Sequence, residues 1–174
     1  MTAVIYRTKH GYTKRIAEAI SKELDADLFS IKDAKNLDTS KYDSFVLGSS
    51  IGAGMFGGKG DFLKLYQKIS DKKTAIFTVG MTNPIEEDYY IKLDDMNFSN
   101  FNLKDNSKVF HLMGGIDYEK LGFLTKKLMG MIVGQIEKKE NKTEHDKKML
   151  KMKTEKVELF KEEDIIPLIE FIKG

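Results

Sequence analysis

The sequence predicts a single doubly wound α/β domain with a five-stranded parallel sheet at its centre. Its 174 residues correspond to about one domain. Five short apolar runs alternate with segments of helical periodicity, and uninterrupted apolar runs are typical of strands covered on both faces. Because no internal repeat and no Pro- or Ser-rich linker divides the chain, we assign residues 1–174 to one domain.

The predicted elements follow one another along the chain. Short, largely apolar runs predict strands at residues 3–6, 45–47, 75–79 and 109–113, and residues 27–31 predict a further short strand. Apolar residues three or four positions apart predict three helices, which are marked by Ile16, Ile20 and Leu24, by Phe62, Leu65, Tyr66 and Ile69, and by Ile165, Leu168, Ile169 and Ile172. Pro167 fits the last helix only in its first turn, where no backbone N–H is required.

The remaining segments are less regular. Residues 81–107 predict a long loop, which could build a substrate pocket. The lysine-rich residues 137–156 predict a solvated excursion before a short last strand near 157–160. A further helix is predicted to face the core, with a pocket cover or a membrane-surface contact as the alternative; its apolar stripe is Leu121, Leu124, Leu128, Met131 and Ile132.

The composition excludes several classes of chemistry. The chain has no cysteine, so disulfides, thiolate nucleophiles and cysteine-ligated metal centres are excluded, and any redox function needs a bound cofactor. A net charge of only +2 does not indicate a nucleic-acid partner. The N-terminus lacks the pattern of a signal peptide, and no apolar run approaches the length of a membrane span, so we expect a cytoplasmic protein.

Glycines are concentrated where the predicted strands end. Of 14 glycines, ten follow a strand at its carboxyl end: Gly11, Gly48, Gly52, Gly54, Gly57, Gly58, Gly60, Gly80, Gly114 and Gly115. In an open parallel sheet, ligands bind outside the carboxyl ends of the strands, and glycine allows the backbone to approach them closely. For any single glycine, packing or a plain turn is the ordinary explanation. The set as a whole indicates a ligand site at this edge.

The loop after the first strand has the character of an anion site. It reads Thr8-Lys9-His10-Gly11-Tyr12-Thr13, so two hydroxyl side chains bracket a glycine where a helix begins. The free N–H groups and the positive dipole end of that helix would suit a phosphate. A simple N-cap formed by Thr13 is the alternative.

Other phosphate-binding folds do not fit the sequence. Neither the G-x-G-x-x-G pattern of dinucleotide-binding domains nor the G-x-x-x-x-G-K-[ST] pattern of a P-loop is present. A receiver domain would need acidic residues after the first strand and an aspartate after the third. The sequence has Thr8-Lys9-His10 and Gly48-Ser49-Ser50 at those places.

Two of these motifs resemble the flavodoxin-like family. The segment Thr8-Lys9-His10-Gly11-Tyr12-Thr13 is similar to the loop that holds the FMN phosphate, and residues 48–56, GSSIGAGMF, are similar to the loop over the flavin ring. A narrower similarity is to the branch that contains the menaquinone-dependent protoporphyrinogen dehydrogenases, through the stretch Gly48 to Gly54 and the aromatic segment after Gly115. The resemblance covers most of the chain.

The resemblance implies a strand order of 2-1-3-4-5 and a noncovalently bound FMN. The implied phosphate site comprises Thr8, Lys9, His10, Gly11, Tyr12 and Thr13. The implied contacts to the ring come from the backbone of Ser49, Ser50, Ile51, Gly52, Ala53 and Gly54, and those to the pyrimidine side come from Gly80, Met81 and Thr82. Met55, Phe56 or Met81 could also contact the ring, with core packing as the alternative for each.

Two function classes follow from the resemblance, and a third is weaker. We expect an FMN-dependent oxidoreductase acting on a quinone or another small aromatic substrate, with a flavodoxin electron carrier between redox proteins as the alternative. A pI near 8.5 and the absence of tryptophan depart from ordinary carriers. The basic pI and the long segment of residues 81–107 favour the enzyme, since a longer loop can build a substrate pocket. A binding module that has lost its flavin is the weaker possibility.

No side chain of the chain itself is predicted to be catalytic or to bind a metal. The three histidines, His10, His111 and His145, are scattered in the sequence, and no His–Asp pair is apparent. His111 lies within an apolar run and is predicted to be a core histidine whose hydrogen bonds are satisfied.

Overall fold

Eight strands and six helices make up the fold in the computed structural model, which describes residues 1–82 and 87–174. The strands are β1 (Thr2–Arg7), β2 (Asp27–Ser30), β3 (Ser44–Gly52), β4 (Met55–Phe56), β5 (Lys73–Gly80), β6 (Ser107–Met113), β7 (Gly115–Ile116) and β8 (Val157–Glu158). The helices are α1 (Tyr12–Leu24), α2 (Lys59–Ile69), α3 (Glu87–Phe98), α4 (Phe123–Glu137), α5 (Glu144–Leu150) and α6 (Ile166–Lys173).

Five strands form a parallel sheet in the order β2-β1-β3-β5-β6. Leaving out β4, which pairs with β3 in antiparallel fashion, this is the predicted order 2-1-3-4-5. The predicted α/β flavodoxin-like fold is therefore confirmed. All five predicted strands are present, and Pro167 lies in the first turn of α6, as expected from its missing N–H.

Helices cover both faces of the sheet, and alternate strand residues face opposite sides. Val4, Val46 and Ala75 pack under α1 and α6, where Ile16, Ile20 and Leu168 are buried. The residues next to them in the strands point the other way, toward a core that includes the buried residues of α2 and the end of α3; it contains Ile5, Leu47, Ile76, Phe62, Tyr66, Ile69 and Phe98. This explains why the strands have no polar alternation.

Helix α3 was not predicted, because residues 81–107 were assigned to a loop. The helix spans Glu87–Phe98 and buries Tyr90, Leu93, Asn97 and Phe98. Its buried stripe includes an asparagine, and acidic residues interrupt the apolar ones. The periodic apolar signal is therefore weak, even though the packing is extensive.

The chain divides into two compact units. Unit 1 comprises Met1–Met113 and Phe160–Gly174, and it contains the parallel sheet. Unit 2 comprises Gly114–Leu159 and contains α4, α5 and the antiparallel pair of β7 and β8. The last strand predicted near 157–160 is thus shortened to Val157–Glu158 and does not belong to the parallel sheet.

The prediction of a solvated excursion at residues 137–156 is wrong for its second half. Helix α5 forms there, and the side chains of Asp146, Met149 and Met152 are buried. The helix begins with a capping box, in which the Asp146 backbone N–H donates to the Thr143 hydroxyl and the Thr143 N–H donates to the Asp146 carboxylate. The capping box was not recognised in the sequence because it lies within a run of charged residues.

Helix α4 is present, but its predicted core stripe is wrong. The buried residues are Met129, Val133 and Ile136, whereas Leu128 and Met131 are exposed. The side chain of Leu124 lies outside the described part of the chain. Because α4 is apolar around much of its circumference, periodicity does not select the buried face. None of the described helices is both long enough and apolar enough to cross a membrane.

Asp146 makes the stability of the protein depend on pH below about 4. The Thr143 backbone N–H, followed by the Lys139 ammonium, lowers the pKa of Asp146 from 3.8 to about 2. Because the pKa is lower in the folded state, the stabilisation is complete above pH 4 to 5 and is lost as the pH falls toward 2. We therefore expect Asp146→Asn to lower the thermal unfolding midpoint at pH 6 and to differ less from wild type at pH 2.

The comparison needs a matched acid elsewhere. Glu140→Gln removes an exposed carboxylate of the same unit and should shift the midpoint little at any pH. A difference between Asp146→Asn and wild type that stays constant from pH 6 to pH 2 would contradict the assignment.

Candidate functional site

Three loops meet at the carboxyl edge of the sheet, because β1, β3 and β5 are parallel neighbours. The chain leaves β1 toward β2 on one side and returns to β3 on the other, so the strand order reverses between β1 and β3. Ligands of open α/β sheets bind at such a reversal. The loops that follow β1, β3 and β5 therefore define the candidate site.

The loop after β1 is closed by its own first hydroxyl. The Gly11 backbone N–H donates to Thr8 Oγ1 over 2.9 Å, which leaves the hydroxyl proton of Thr8 available to an external acceptor. Gly11 has a φ of 91° and occupies the N-cap position of α1. Lys9 and His10 are exposed at the tip.

The electrostatics of this loop favour an anion. Among the described residues, no side chain caps α1, and its first turn contains no acidic residue. Lys9, His10 and Lys14 surround this end of the helix, although the helix dipole favours negative charge there. A phosphate would accept from the free N–H groups and offset the cationic charge.

Thr13 does not lie at the N-cap position of α1, which was the alternative explanation of this loop. Its side chain is 1% exposed and lies on the buried face of α1 with Ile16 and Ala17. The prediction of Thr13 as the N-cap is wrong, because Gly11 occupies that position. A ligand at this loop would meet Thr13 chiefly through its backbone, whereas Tyr12 remains partly exposed.

The loop after β3 is shorter than predicted. Strand β3 continues to Gly52, so Ser49, Ser50 and Ile51 lie within the strand. Ser49 is fully buried, and its hydroxyl donates to the Arg7 carbonyl over 3.4 Å. The chain then turns through Ala53 and Gly54.

This turn produces a tight hairpin. Ala53 has a φ of 49° and Gly54 a φ of 79°, and Ile51 and Gly52 pair with Phe56 and Met55 of β4. Two consecutive residues with positive φ are typical of the two-residue hairpin turns that match the strand twist. The tip at Gly52–Gly54 is therefore the part of this segment that faces outward.

A buried asparagine on α3 fixes the hairpin. Asn97 is fully buried; its Oδ1 accepts from the Phe56 N–H over 2.8 Å, and its Nδ2 donates to the Gly54 carbonyl over 2.8 Å. It also donates to the Leu93 carbonyl over 2.9 Å. The sequence analysis missed this residue, although a polar side chain in the stripe of Tyr90 and Leu93 was the available signal.

The glycines at this edge separate into two groups. A methyl group at Gly48 would lie 1.9 Å from the Phe77 ring, and one at Gly57 would lie 2.7 Å from Ser49 Oγ, so both are required by internal packing. Methyl groups at Gly11, Gly52 and Gly80 would have no atom within 4 Å. The backbone of the candidate site is thus open at one glycine in each of the three loops.

The side chains proposed to contact a bound ring are not equivalent. Phe56 is buried in the core, where it packs against Phe62 and Phe98 with ring centroids 5.2 Å away in both cases. Its prediction as a ring contact is therefore wrong. Met55 is exposed and Met81 is half-buried, so both remain accessible at the edge.

Arg7 is a second residue that the sequence analysis missed. It ends β1, is exposed, and its side chain packs over the turn at Gly57 and Gly58. A methyl group at Gly58 would lie 2.8 Å from Arg7 Cδ and 2.9 Å from Nη1. A cation therefore lies at the end of β1, beside Ser49 of β3 and over the turn at Gly57 and Gly58.

The loop after β5 begins with Gly80, Met81 and Thr82 and is held from α3. Tyr90 is buried, and its hydroxyl donates to the Thr82 carbonyl over 2.8 Å. Burial raises the pKa of Tyr90, so the phenol remains a donor. The loop therefore has a defined attachment next to the other two.

His111 has a carboxylate partner, contrary to the sequence analysis. Its Nε2 lies 3.3 Å from Asp94 Oδ2, and its Nδ1 lies 2.8 Å from Thr78 Oγ1. Asp94 comes from α3, which was not predicted, so the pair could not be found. That both ring nitrogens have partners agrees with the prediction of a satisfied histidine.

The model of a flavodoxin domain family matches residues 3–146, which include all five parallel strands and the three loops. No curated protein matches the sequence.

Solved structures with related folds share little sequence with the chain. A WrbA-like flavodoxin from Agrobacterium tumefaciens is 19% identical, with 63% of this chain and 82% of that chain covered and a TM-score of 0.41. A flavoprotein from Lactobacillus acidophilus, solved in complex with FMN, is 18% identical, with 64% and 91% covered and a TM-score of 0.44. An archaeal flavodoxin is 14% identical over 100% of both chains, with a TM-score of 0.46.

Proposed function

Because the chain belongs to the flavodoxin domain family, we propose that it binds FMN noncovalently at the carboxyl edge of the sheet and uses it to transfer electrons. The observation that carries the proposal is the N-terminus of α1, which is uncapped, cationic and preceded by an open glycine. Such a helix end suits the FMN phosphate.

Each of the three loops would contact a different part of the FMN molecule. The phosphate would contact the loop after β1, with Thr8, Lys9, His10, Gly11, Tyr12 and the backbone of Thr13. The hairpin tip at Gly52–Gly54 would approach the ring through backbone groups, and Gly80, Met81 and Thr82 would approach its pyrimidine side. Bound FMN would supply the one- and two-electron chemistry that a chain without cysteine lacks.

We favour an oxidoreductase that acts on a quinone or another small aromatic substrate. The sequence pI near 8.5 departs from that of ordinary flavodoxin carriers and supports this choice. Relation to the menaquinone-dependent protoporphyrinogen dehydrogenases remains part of this proposal. An electron carrier between redox proteins is the alternative.

Thr8→Ala tests the phosphate assignment. The change removes the acceptor of the Gly11 N–H, and we expect FMN to bind about fivefold more weakly, as for one lost hydrogen bond. Riboflavin, which has no phosphate, should bind with unchanged affinity. The measurement is a titration followed by the quenching of flavin fluorescence.

The control is Thr154→Ala, which alters another exposed threonine whose hydroxyl donates to the Lys151 carbonyl. It should leave both affinities unchanged. If the wild-type protein remains colourless after incubation with FMN, the proposed function is wrong. Equal losses for FMN and riboflavin in Thr8→Ala would count against the phosphate site alone.

Enzyme and carrier can be separated once FMN binding is established. Reduction of a quinone to a quinol consumes two electrons and two protons, so menadione should reoxidise the chemically reduced holoprotein. An enzyme should reoxidise with saturation in menadione. Fast reaction with ferredoxin-type proteins and none with menadione would favour the carrier.

A further inference from the structure

We propose that Tyr90 is a positioning residue for Met81 and Thr82, which follow β5, and that it sets the affinity of the protein for the flavin ring independently of the phosphate. The inference rests on the proposed function. It concerns four side chains, Thr78, Tyr90, Asp94 and His111, which we call the edge cluster. They come from β5, α3 and β6.

The imidazole of His111 is held in one orientation. Its two ring nitrogens contact side chains of different elements, since Nδ1 lies 2.8 Å from Thr78 Oγ1 on β5 and Nε2 lies 3.3 Å from Asp94 Oδ2 on α3. In the neutral ring with its hydrogen on Nε2, Thr78 donates to Nδ1 and Nε2 donates to Asp94. Both ring nitrogens are then satisfied, and the plane of the ring is fixed.

The carboxylate of Asp94 contributes one of the two side-chain contacts of the His111 ring nitrogens. Its second oxygen, Oδ1, is buried and has no hydrogen-bond partner within residues 1–82 and 87–174. The other oxygen, Oδ2, lies 3.3 Å from His111 Nε2; the Asp94 side chain is 37% exposed and that of His111 is 15% exposed. The contact therefore connects α3 to β6 at a partly exposed position.

Tyr90 contacts both His111 of the sheet and the backbone of Thr82. Its ring stacks on the His111 imidazole, with centroids 4.0 Å apart and planes inclined by 24°. Its hydroxyl then donates to the Thr82 carbonyl over 2.8 Å. Thr82 follows Gly80, whose backbone faces open space at the candidate site. The Thr82 carbonyl is thus held by a phenol whose ring packs on His111 of the sheet.

We expect the contact between Tyr90 and Thr82 to preorganise the flavin site. A loop that is already held in place loses less conformational freedom when a ligand binds, and the affinity is correspondingly higher. Because the loop after β5 is distinct from the phosphate loop after β1, the effect should be the same for ligands with and without a phosphate. That expectation distinguishes Tyr90 from every residue of the phosphate loop.

Tyr90→Phe is the central test. It removes the hydrogen bond to Thr82 but keeps the ring that stacks on His111, so we expect FMN and riboflavin to bind about five- to tenfold more weakly, by the same factor. The visible circular dichroism of bound flavin should also change. Tyr89→Phe, which alters the neighbouring exposed tyrosine, is the matched control and should change neither affinity.

Thr78→Val provides a second, nearly isosteric variant. It removes the partner of His111 Nδ1 without touching Tyr90, and we expect a smaller loss of affinity, again equal for the two flavins. Thr8→Ala provides the contrast, because it should weaken FMN alone.

The outcomes separate the inference from the proposed function. If wild type binds both flavins but Tyr90→Phe binds them as tightly, or only loses thermal stability, Tyr90 is merely structural and the inference is wrong. A loss confined to FMN would also overturn it. If wild type binds neither flavin, the proposed function fails, and the inference fails with it.

Discussion

Replacing Asn97 by alanine is expected to lower the free energy of unfolding by about 3 kcal/mol, because the buried Phe56 N–H and the part-buried Gly54 carbonyl lose their hydrogen-bond partner. The Phe56 N–H and the Gly54 carbonyl both depend on this side chain, at 2.8 Å each. A buried donor or acceptor left unpaired costs about 1–3 kcal/mol. Chemical unfolding followed by far-ultraviolet circular dichroism measures the change.

The same variant should also affect the candidate site. Without Asn97, the hairpin of β3 and β4 loses its attachment to α3, so the tip at Gly52–Gly54 becomes less ordered. On the proposed function, we expect weaker binding of FMN under conditions in which the variant is still folded.

Asn106→Ala is the matched control for this experiment. Asn106 also donates two side-chain hydrogen bonds to carbonyls, those of Ser70 and Lys72, but it lies just before β6, at the opposite edge of the sheet. It should reduce stability and leave FMN affinity unchanged. If Asn97→Ala is as stable as wild type, the assigned role of the asparagine is wrong.

Gly48→Ala is the second change with a large expected effect. The added methyl group would lie 1.9 Å from Phe77 Cζ and 2.1 Å from Cε1, and Phe77 is fully buried on the neighbouring strand. Overpacking of this kind costs typically about 1–3 kcal/mol, and more where neighbours cannot move. We expect a loss of about 3 kcal/mol or a failure to fold.

Two further variants make this result interpretable. Phe77→Leu shortens the ring that the methyl group would meet, so the double variant Gly48→Ala/Phe77→Leu should be more stable than additivity of the single changes predicts. Gly52→Ala adds a methyl group to open space and should change stability by less than about 0.5 kcal/mol. On the proposed function, Gly52→Ala should nevertheless weaken FMN binding, because the backbone could no longer approach the ring.

The two glycine variants therefore have opposite signatures. Gly48→Ala should affect stability, and Gly52→Ala should affect binding. Equal stabilities of Gly48→Ala and Gly52→Ala would show that the position of Phe77 does not require glycine at residue 48.

Most of the fold could be predicted from local patterns. Strands that are buried on both faces leave uninterrupted apolar runs, and amphipathic helices such as α1 and α2 leave a periodic stripe. Both signals fail where burial and polarity are mixed. Helix α3 buries Asn97 among apolar residues, and α4 is apolar on its exposed side at Leu128 and Met131, so the first was missed and the second was assigned the wrong face.

The candidate site was predictable only in part. An anion site at the loop after β1 could be proposed from the sequence because Thr8, Gly11 and the start of α1 are neighbours in sequence, and helix-terminus electrostatics are local. Asn97, Arg7 and the pair of Asp94 with His111 could not be found in the same way. Asn97 lies 43 residues from Gly54, and Asp94 lies 17 residues from His111.

Hydrophobic periodicity was enough to predict the doubly wound sheet, and glycines at the strand ends were enough to predict the edge where we expect a ligand. Which glycines face open space, and which side chains hold the described parts of the three loops, became apparent only in the folded chain. The physical reason is that close approach and hydrogen-bond pairing depend on atoms that are distant along the chain, so no local pattern records them.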